Sequence, residues 1–334
     1  MRKLRRKLIL SLVMAAFTAI TLVSTTYAWF SSNSEAWIDD FDLEIENTDG
    51  LLASIDGVNY YAEIDNDELK KAVVAKFEGL DIIEDEQTLT DAYVNTRFAQ
   101  LQLAPVSTSD LVSFTTVDNL CEKENGLYVP RSADKYSYLT FDLYLKVQSS
   151  KGQANKQYNI SFVSKNDDSK VPEIKSGETD VKLSNKMTAG NTNYDSGEII
   201  KVDPKDSMRI GVIHNDTNTK TIYEPYSGLG SYALADNPAD EYNPEKNAMF
   251  TYFNNSHNTK LAALDDVDVY KNTIKSFDND IVFGTCKPNQ TNTDYEAIKL
   301  TLCIWIEGYD ADYFVGVDND IASLYLSFKM KEVI

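Results

Sequence analysis

The chain has 334 residues, 52 acidic and 32 basic, for a net charge of −20, with three cysteines and two histidines. No basic stripe stands against that acidity, so nucleic acid and anionic lipid surfaces are excluded as partners. Three cysteines scattered over 180 residues exclude a disulfide framework, which needs dense, even cysteine content. Buried free thiols are the favoured state, with a single Cys286–Cys303 bridge as the alternative; Cys121 has no evident partner.

Residues 1–28 read as an export signal. MRKLRRK places five cations before the apolar run LILSLVMAAFTAITLV (8–23). Those cations stay cytoplasmic, and 16 uncharged residues fall short of the ~20 that a spanning helix needs. Thr26-Tyr27-Ala28 offers small residues where a signal peptidase reads them, which places cleavage between Ala28 and Trp29. The alternative is an uncleaved N-terminal membrane anchor, with Tyr27, Trp29 and Phe30 as its interfacial belt. Removing the five leader cations leaves 27 basic against 52 acidic residues, a net charge of −25. Such charge favours hydration outside the cell.

Strand signals dominate the rest. In 37–46, Trp37, Phe41, Leu43 and Ile45 share one parity against Asp40, Asp42, Glu44 and Glu46, one buried and one wet face. NDELKKAVVAKFEGL (66–80) is the one strong helix, capped by Asp65 or Asn66 and stopped by Gly79. It lies in a helical or irregular insertion over about 58–130. YLTFDLYLKV (138–147) alternates again, and QYNISFV (157–163) follows a polar turn, which predicts a hairpin. Residues 164–206 and 214–260 read as long polar loops flanking the short strand 207–213. The strands 299–308 and 321–330 end the chain. Clean alternation predicts antiparallel sheets with one wet face each. The fold expected is mainly β: an antiparallel, jelly-roll-like β-sandwich over 29–334, a single domain carrying those insertions. The C-terminus has neither a second apolar span nor an LPxTG-like motif, so no covalent wall anchor is expected.

Chemistry is sparse. His214 and His257 lie in polar loop contexts, and no HExxH, GxSxG, P-loop or GxGxxG pattern exists. No catalytic residue is therefore assigned; a hydrolase with a carboxylate pair is the remaining enzymatic form. EGYDADYFVGVDNDIA (307–322) gathers Glu307, Asp310, Asp312, Asp318 and Asp320 on one loop, hard oxygen ligands suited to Ca²⁺, although the spacing is not an EF-hand. A solvated acidic turn explains the same residues without a metal.

The order of basic leader, Tyr27-Ala28-Trp29-Phe30, small polar residues and acidic strand resembles the exported TasA and camelysin-like proteins. These come from low-GC Gram-positive bacteria and are processed by a SipW-type signal peptidase. Leu103-Ala-Pro-Val106, Phe141-Asp-Leu-Tyr-Leu145 and Ile304-Trp-Ile-Glu-Gly-Tyr-Asp-Ala-Asp312 are also similar to segments of uncharacterised clostridial and mollicute-like exported proteins. The resemblance implies an extracellular or cell-surface sandwich without enzymatic activity, a matrix or fibre subunit. It also implies a way to assemble: Trp29 and Phe30 begin the mature chain, and residues 29–46 pair with a neighbour, Trp29, Phe30, Trp37 and Phe41 filling its pockets. The partners expected are further copies, other cell-surface proteins and the signal peptidase. A surface adhesin or glycan-binding module, with the polar loops as its binding face, is the rival reading.

Overall fold

The computed structural model describes residues 50–108, 110–116, 132–148, 156–164, 171–183, 192–226, 281–289, 294–308 and 323–334, together with Lys186. It describes six further strands by their backbone: Ala36–Trp37, Leu43–Asn47, Glu122–Glu124, Leu127–Val129, Met187–Ala189 and Thr273–Ile274. Among the described residues the chain is mainly β, with two α-helices, α1 (Asn66–Glu78) and α2 (Asp91–Phe98).

Two sheets carry the fold. The larger has eight strands, running in space Thr273–Ile274, Thr219–Tyr223, Met208–His214, Ile298–Glu307, Leu139–Val147 and Leu51–Ser54. Its other two strands are Pro105–Ser107, beside the end of Ile298–Glu307, and Thr115–Thr116, beside Pro105–Ser107. The smaller has six: Gly284–Cys286, Tyr158–Phe162, Ser323–Glu332, Leu43–Asn47 and Glu63–Ile64, with Glu173–Lys175 also on Ser323–Glu332.

Residues of both sheets meet in one apolar core. Leu139, Phe141, Leu143, Leu145 and Val147 are wholly buried from one side, as their alternation predicts. Ile160, Phe162, Leu326 and Phe328 come from the other. Phe162 makes edge contacts with Tyr223 at 5.2 Å and Phe283 at 4.8 Å, closing the core at one end. Such aromatic pairs add a modest increment to their area burial. The buried residues of α1 and α2, including Leu69, Val73, Val94 and Phe98, belong to the same core. Among its described residues, the 58–130 insertion contains two helices, packed onto the body, and short strands. Leu51–Ser54 pairs with Tyr144–Val147, and α1 packs against the same long strand.

Several expectations change. The sheets are mixed, not purely antiparallel. Leu43–Asn47 runs parallel to Ser323–Glu332, Pro105–Ser107 to Ile298–Glu307, and Thr219–Tyr223 to Thr273–Ile274. Alternation reports which face is covered and carries no information about strand direction. The hairpin expected between 138–147 and 157–163 does not form, because the two strands lie in different sheets. Leu139–Val147 instead pairs with Ile298–Glu307, Leu139 opposite Ile304. The polar segment 164–206 contains strands: Thr179–Lys182 pairs with Ile199–Val202, and Met187–Ala189 with Thr192–Tyr194, a two-tier ribbon. Val181, Leu183, Ile200 and Val202 bury one face of that ribbon. His214 ends a strand and is buried; its Nδ1 lies 2.7 Å from Thr217 Oγ1.

The far face of Ile298–Glu307 is covered too. Cys303, Trp305 and Glu307 are buried where a wet face was expected. The loop following Pro105–Ser107 lies over them. Leu111 sits on Gly211, where a Cβ would come within 2.5 Å of its side chain. Phe114 meets Trp305 edge-on at 5.6 Å and stacks on Tyr138 at 3.8 Å. Under this cover Arg209 pairs with Glu224 at 3.0 Å, both side chains almost fully buried.

Candidate functional site

The positions marked by the sequence fall mostly outside the described residues. Ala28, Trp29, Phe30 and Phe41 do so, as do Asp310, Asp312, Asp318, Asp320, Cys121 and His257. Trp37 lies in Ala36–Trp37, opposite Gln102 in an antiparallel pair with Gln102–Leu103. Glu307, grouped by sequence with the acidic loop, does not face solvent: it is fully buried and accepts a hydrogen bond from Trp305 Nε1 at 3.0 Å. Among the described residues no cluster of three or more His, Cys, Asp or Glu side chains could hold a metal. No helix there is long and apolar enough to cross a membrane. Cys286 and Cys303 are free and buried, so the bridge between them is absent. Burial pushes both thiols up to about 11.

The N-terminal strand has a defined seat. Leu43–Asn47 lies between Ser323–Glu332, register-paired over Leu43–Leu324 to Asn47–Phe328, and the two-residue strand Glu63–Ile64. It is therefore an interior strand of its own sheet, contributed from the opposite end of the sequence.

The described residues also form a polar cleft that sequence reasoning missed. Its floor comes from register. Asp142 stands opposite Thr301 and Tyr144 opposite Lys299, cross-strand neighbours on the larger sheet's outer face. One wall is α1. Asp65 caps it, its carboxylate accepting from Glu68 N at 3.0 Å, and Gly79 ends it at φ 67°. The buried stripe of α1 leaves Lys76, in the last turn, reaching over the sheet. Lys76 Nζ lies 2.8 and 3.0 Å from the two oxygens of Asp142, and Lys299 Nζ lies 2.9 Å from Oδ2. Thr301 donates to Oδ1 at 2.7 Å. Burial works to raise the Asp142 pKa, but the bonds from Lys76, Lys299 and Thr301 outweigh it and hold the carboxyl below its ordinary range. Burial likewise opposes the charge on Lys299, and Asp142 more than offsets it.

The second wall is a turn. Ser54 Oγ accepts from the backbone of Asp56 and Gly57, while Asp56 Oδ1 accepts from Val58 N and Asn59 N at 2.8 Å. The same network recurs in the loop over the buried ion pair: Thr108 Oγ1 accepts from Asp110 and Leu111, and Asp110 Oδ1 from Val112 and Ser113. Both loops return to pair with the strand they left, at Ala53–Tyr61 and Ser107–Thr115. SIDGVN (54–59) and TSDLVS (108–113) are one device used twice, and their shared S/T-x-D-x-V-x spacing is the signal that could have revealed it. The fourth residue of each has positive φ, 76° at Gly57 and 57° at Leu111. Gly57 makes room for Tyr144, and Gly211 makes room for Leu111. Asp81 completes the cleft rim, its carboxylate accepting from Ile83 N and Glu84 N at 2.9 and 3.0 Å.

The fold and its sites therefore define a mainly β protein of mixed sheets, with Leu43–Asn47, near the start of the chain, sewn beside its C-terminal strand. No protein-family model, curated protein or solved structure matches the chain.

Proposed function

We propose that this chain is a non-enzymatic protein of the bacterial exterior, a jelly-roll-like β-sandwich exported by residues 1–28. In this reading it self-associates by exchanging its N-terminal strand. The observation that carries the proposal is the parallel seat of Leu43–Asn47 between Ser323–Glu332 and Glu63–Ile64. A strand that joins its sheet from the far end of the sequence can be supplied by another copy with the same main-chain bonds. The two sheets around one core support the sandwich, and the leader's charge pattern supports export. TasA and camelysin-like proteins are the family this reading takes as its analogy.

N-terminal sequencing and intact mass of the native protein, followed by size-exclusion chromatography over a concentration series, test the proposal. A mature chain starting at Trp29 and a concentration-dependent polymer are expected. Polymer formed equally well by a variant lacking residues 29–47 would count against strand exchange.

A further inference from the structure

The cleft between α1, the 54–59 turn and the outer face of the larger sheet has a charge layout that its structural role does not use up. Asp142 is saturated by Lys76, Lys299 and Thr301. One carboxylate thus serves two ammonium groups, whose side chains remain 38% and 36% exposed. On the rim, Asp56 and Asp81 point the opposite charge at the same space. Both are held ionised: burial works to raise the Asp56 pKa, but the turn's donors outweigh it, and backbone N–H groups lower that of Asp81. Apolar side chains, among them Leu80 and Ile82, line the space between. The cleft is small, about 150 Å³, and opens to solvent, which limits an occupant to a few heavy atoms within it.

A simple anion would meet two lysines but also two negatively charged aspartates with no cationic partner among their hydrogen-bond donors, and a simple cation would meet the two aspartates but also the lysines. A ligand carrying both charges, separated by one or a few atoms, satisfies both poles and leaves the net charge unchanged. We propose that this cleft binds a small zwitterion, a free amino acid or a dipeptide. Its carboxylate lies against Lys76 and Lys299, its ammonium against Asp56 and Asp81, and its side chain over Leu80 and Ile82. The proposal goes beyond strand exchange and is independent of how the chain assembles.

Calorimetric titration of the native protein with glycine, L-alanine and L-alanyl-L-alanine, and separately with acetate and methylammonium, tests it. One or more of the zwitterions should bind at least about tenfold more tightly than either half-ligand. Asp81→Asn keeps an oxygen for the backbone N–H groups while removing the charge, so it should lower the thermal midpoint only slightly, leave the chain folded and weaken zwitterion binding about tenfold. Lys299→Gln should weaken it likewise, with folding checked by circular dichroism. Acetate binding as tightly as alanine, Asp81→Asn leaving alanine affinity unchanged, or no zwitterion binding at all would each overturn the proposal and leave the cluster as a clamp between helix and sheet.

Discussion

Asp142 occupies the solvent parity of its strand, and by alternation alone it is one of several interchangeable wet-face residues. In the fold its side chain is only 20% exposed and joins α1 to two strands of the larger sheet. Because its folded pKa lies below the ordinary 3.8, its stabilisation is complete above that value and is lost as pH falls through the folded pKa. Asp142→Asn should therefore lower stability by about 1–3 kcal/mol at pH 7. The gap between variant and wild type should close below pH 3.8, as read by urea denaturation at several pH values. A gap that persists unchanged into acid would show that the charge is not what matters. The sequence placed Asp142 on the correct face. It could not supply Lys76 or Lys299, because those contacts cross 66 residues in one case and join strands 139–147 and 298–307 in the other.

At the scale of elements, legibility followed how many faces of each element are covered. Leu139–Val147 alternates between buried and half-buried residues and was read correctly, as was α1, with its Asp65 cap and Gly79 stop. Met208–His214 is buried at every position and Ile298–Glu307 at all but one. Alternation sends Cys303, Trp305 and Glu307 of the second strand to water, because the covering loop lies far away in sequence, Leu111 being 192 residues from Cys303. Arg209 and Glu224 are the cost of that cover: two opposite charges moved out of water together. Removing one partner leaves the other charge buried, so Arg209→Met should destabilise the protein by about 3–5 kcal/mol. The double variant Arg209→Met with Glu224→Met should recover most of that loss, since paired apolar replacements of similar volume are often neutral. Thermal and chemical denaturation of the three variants form the cycle. A double variant as unstable as the sum of the singles would mean that the two residues act separately.

For the whole molecule the decisive question is whose sheet the N-terminal strand completes. The sequence marked 37–46 as a strand and its acidic parity as solvent-facing, but a strand's own residues do not say whether its partner is in the same chain. Here Leu43–Asn47 pairs within the chain, with Ile45 opposite Leu326. The strand linking the smaller sheet to the larger, Leu51–Ser54, begins only four residues after Asn47, and Gly50 between them has φ 95°. A short connection with a left-handed residue offers a hinge about which Leu43–Asn47, with Ala36–Trp37 ahead of it, can leave Ser323–Glu332 and Glu63–Ile64 and take the same places in another copy. Exchange then conserves nearly all main-chain bonds, so the balance between closed monomer and polymer rests on concentration and on contacts made by residues ahead of the strand. A covalent lock separates the two states. Ile45→Cys with Leu326→Cys, in a Cys121→Ser background, joins register partners, while Cys286 and Cys303 stay buried and unreactive. Oxidised before assembly, this variant should remain monomeric at concentrations where the wild type polymerises, and reduction should restore polymer. Oxidised during assembly, it should give disulfide-linked ladders on a denaturing gel, because each strand is then trapped in its neighbour. Polymer that forms as readily from the locked monomer would place the contact elsewhere on the surface and leave Leu43–Asn47 as a strand of its own sheet alone.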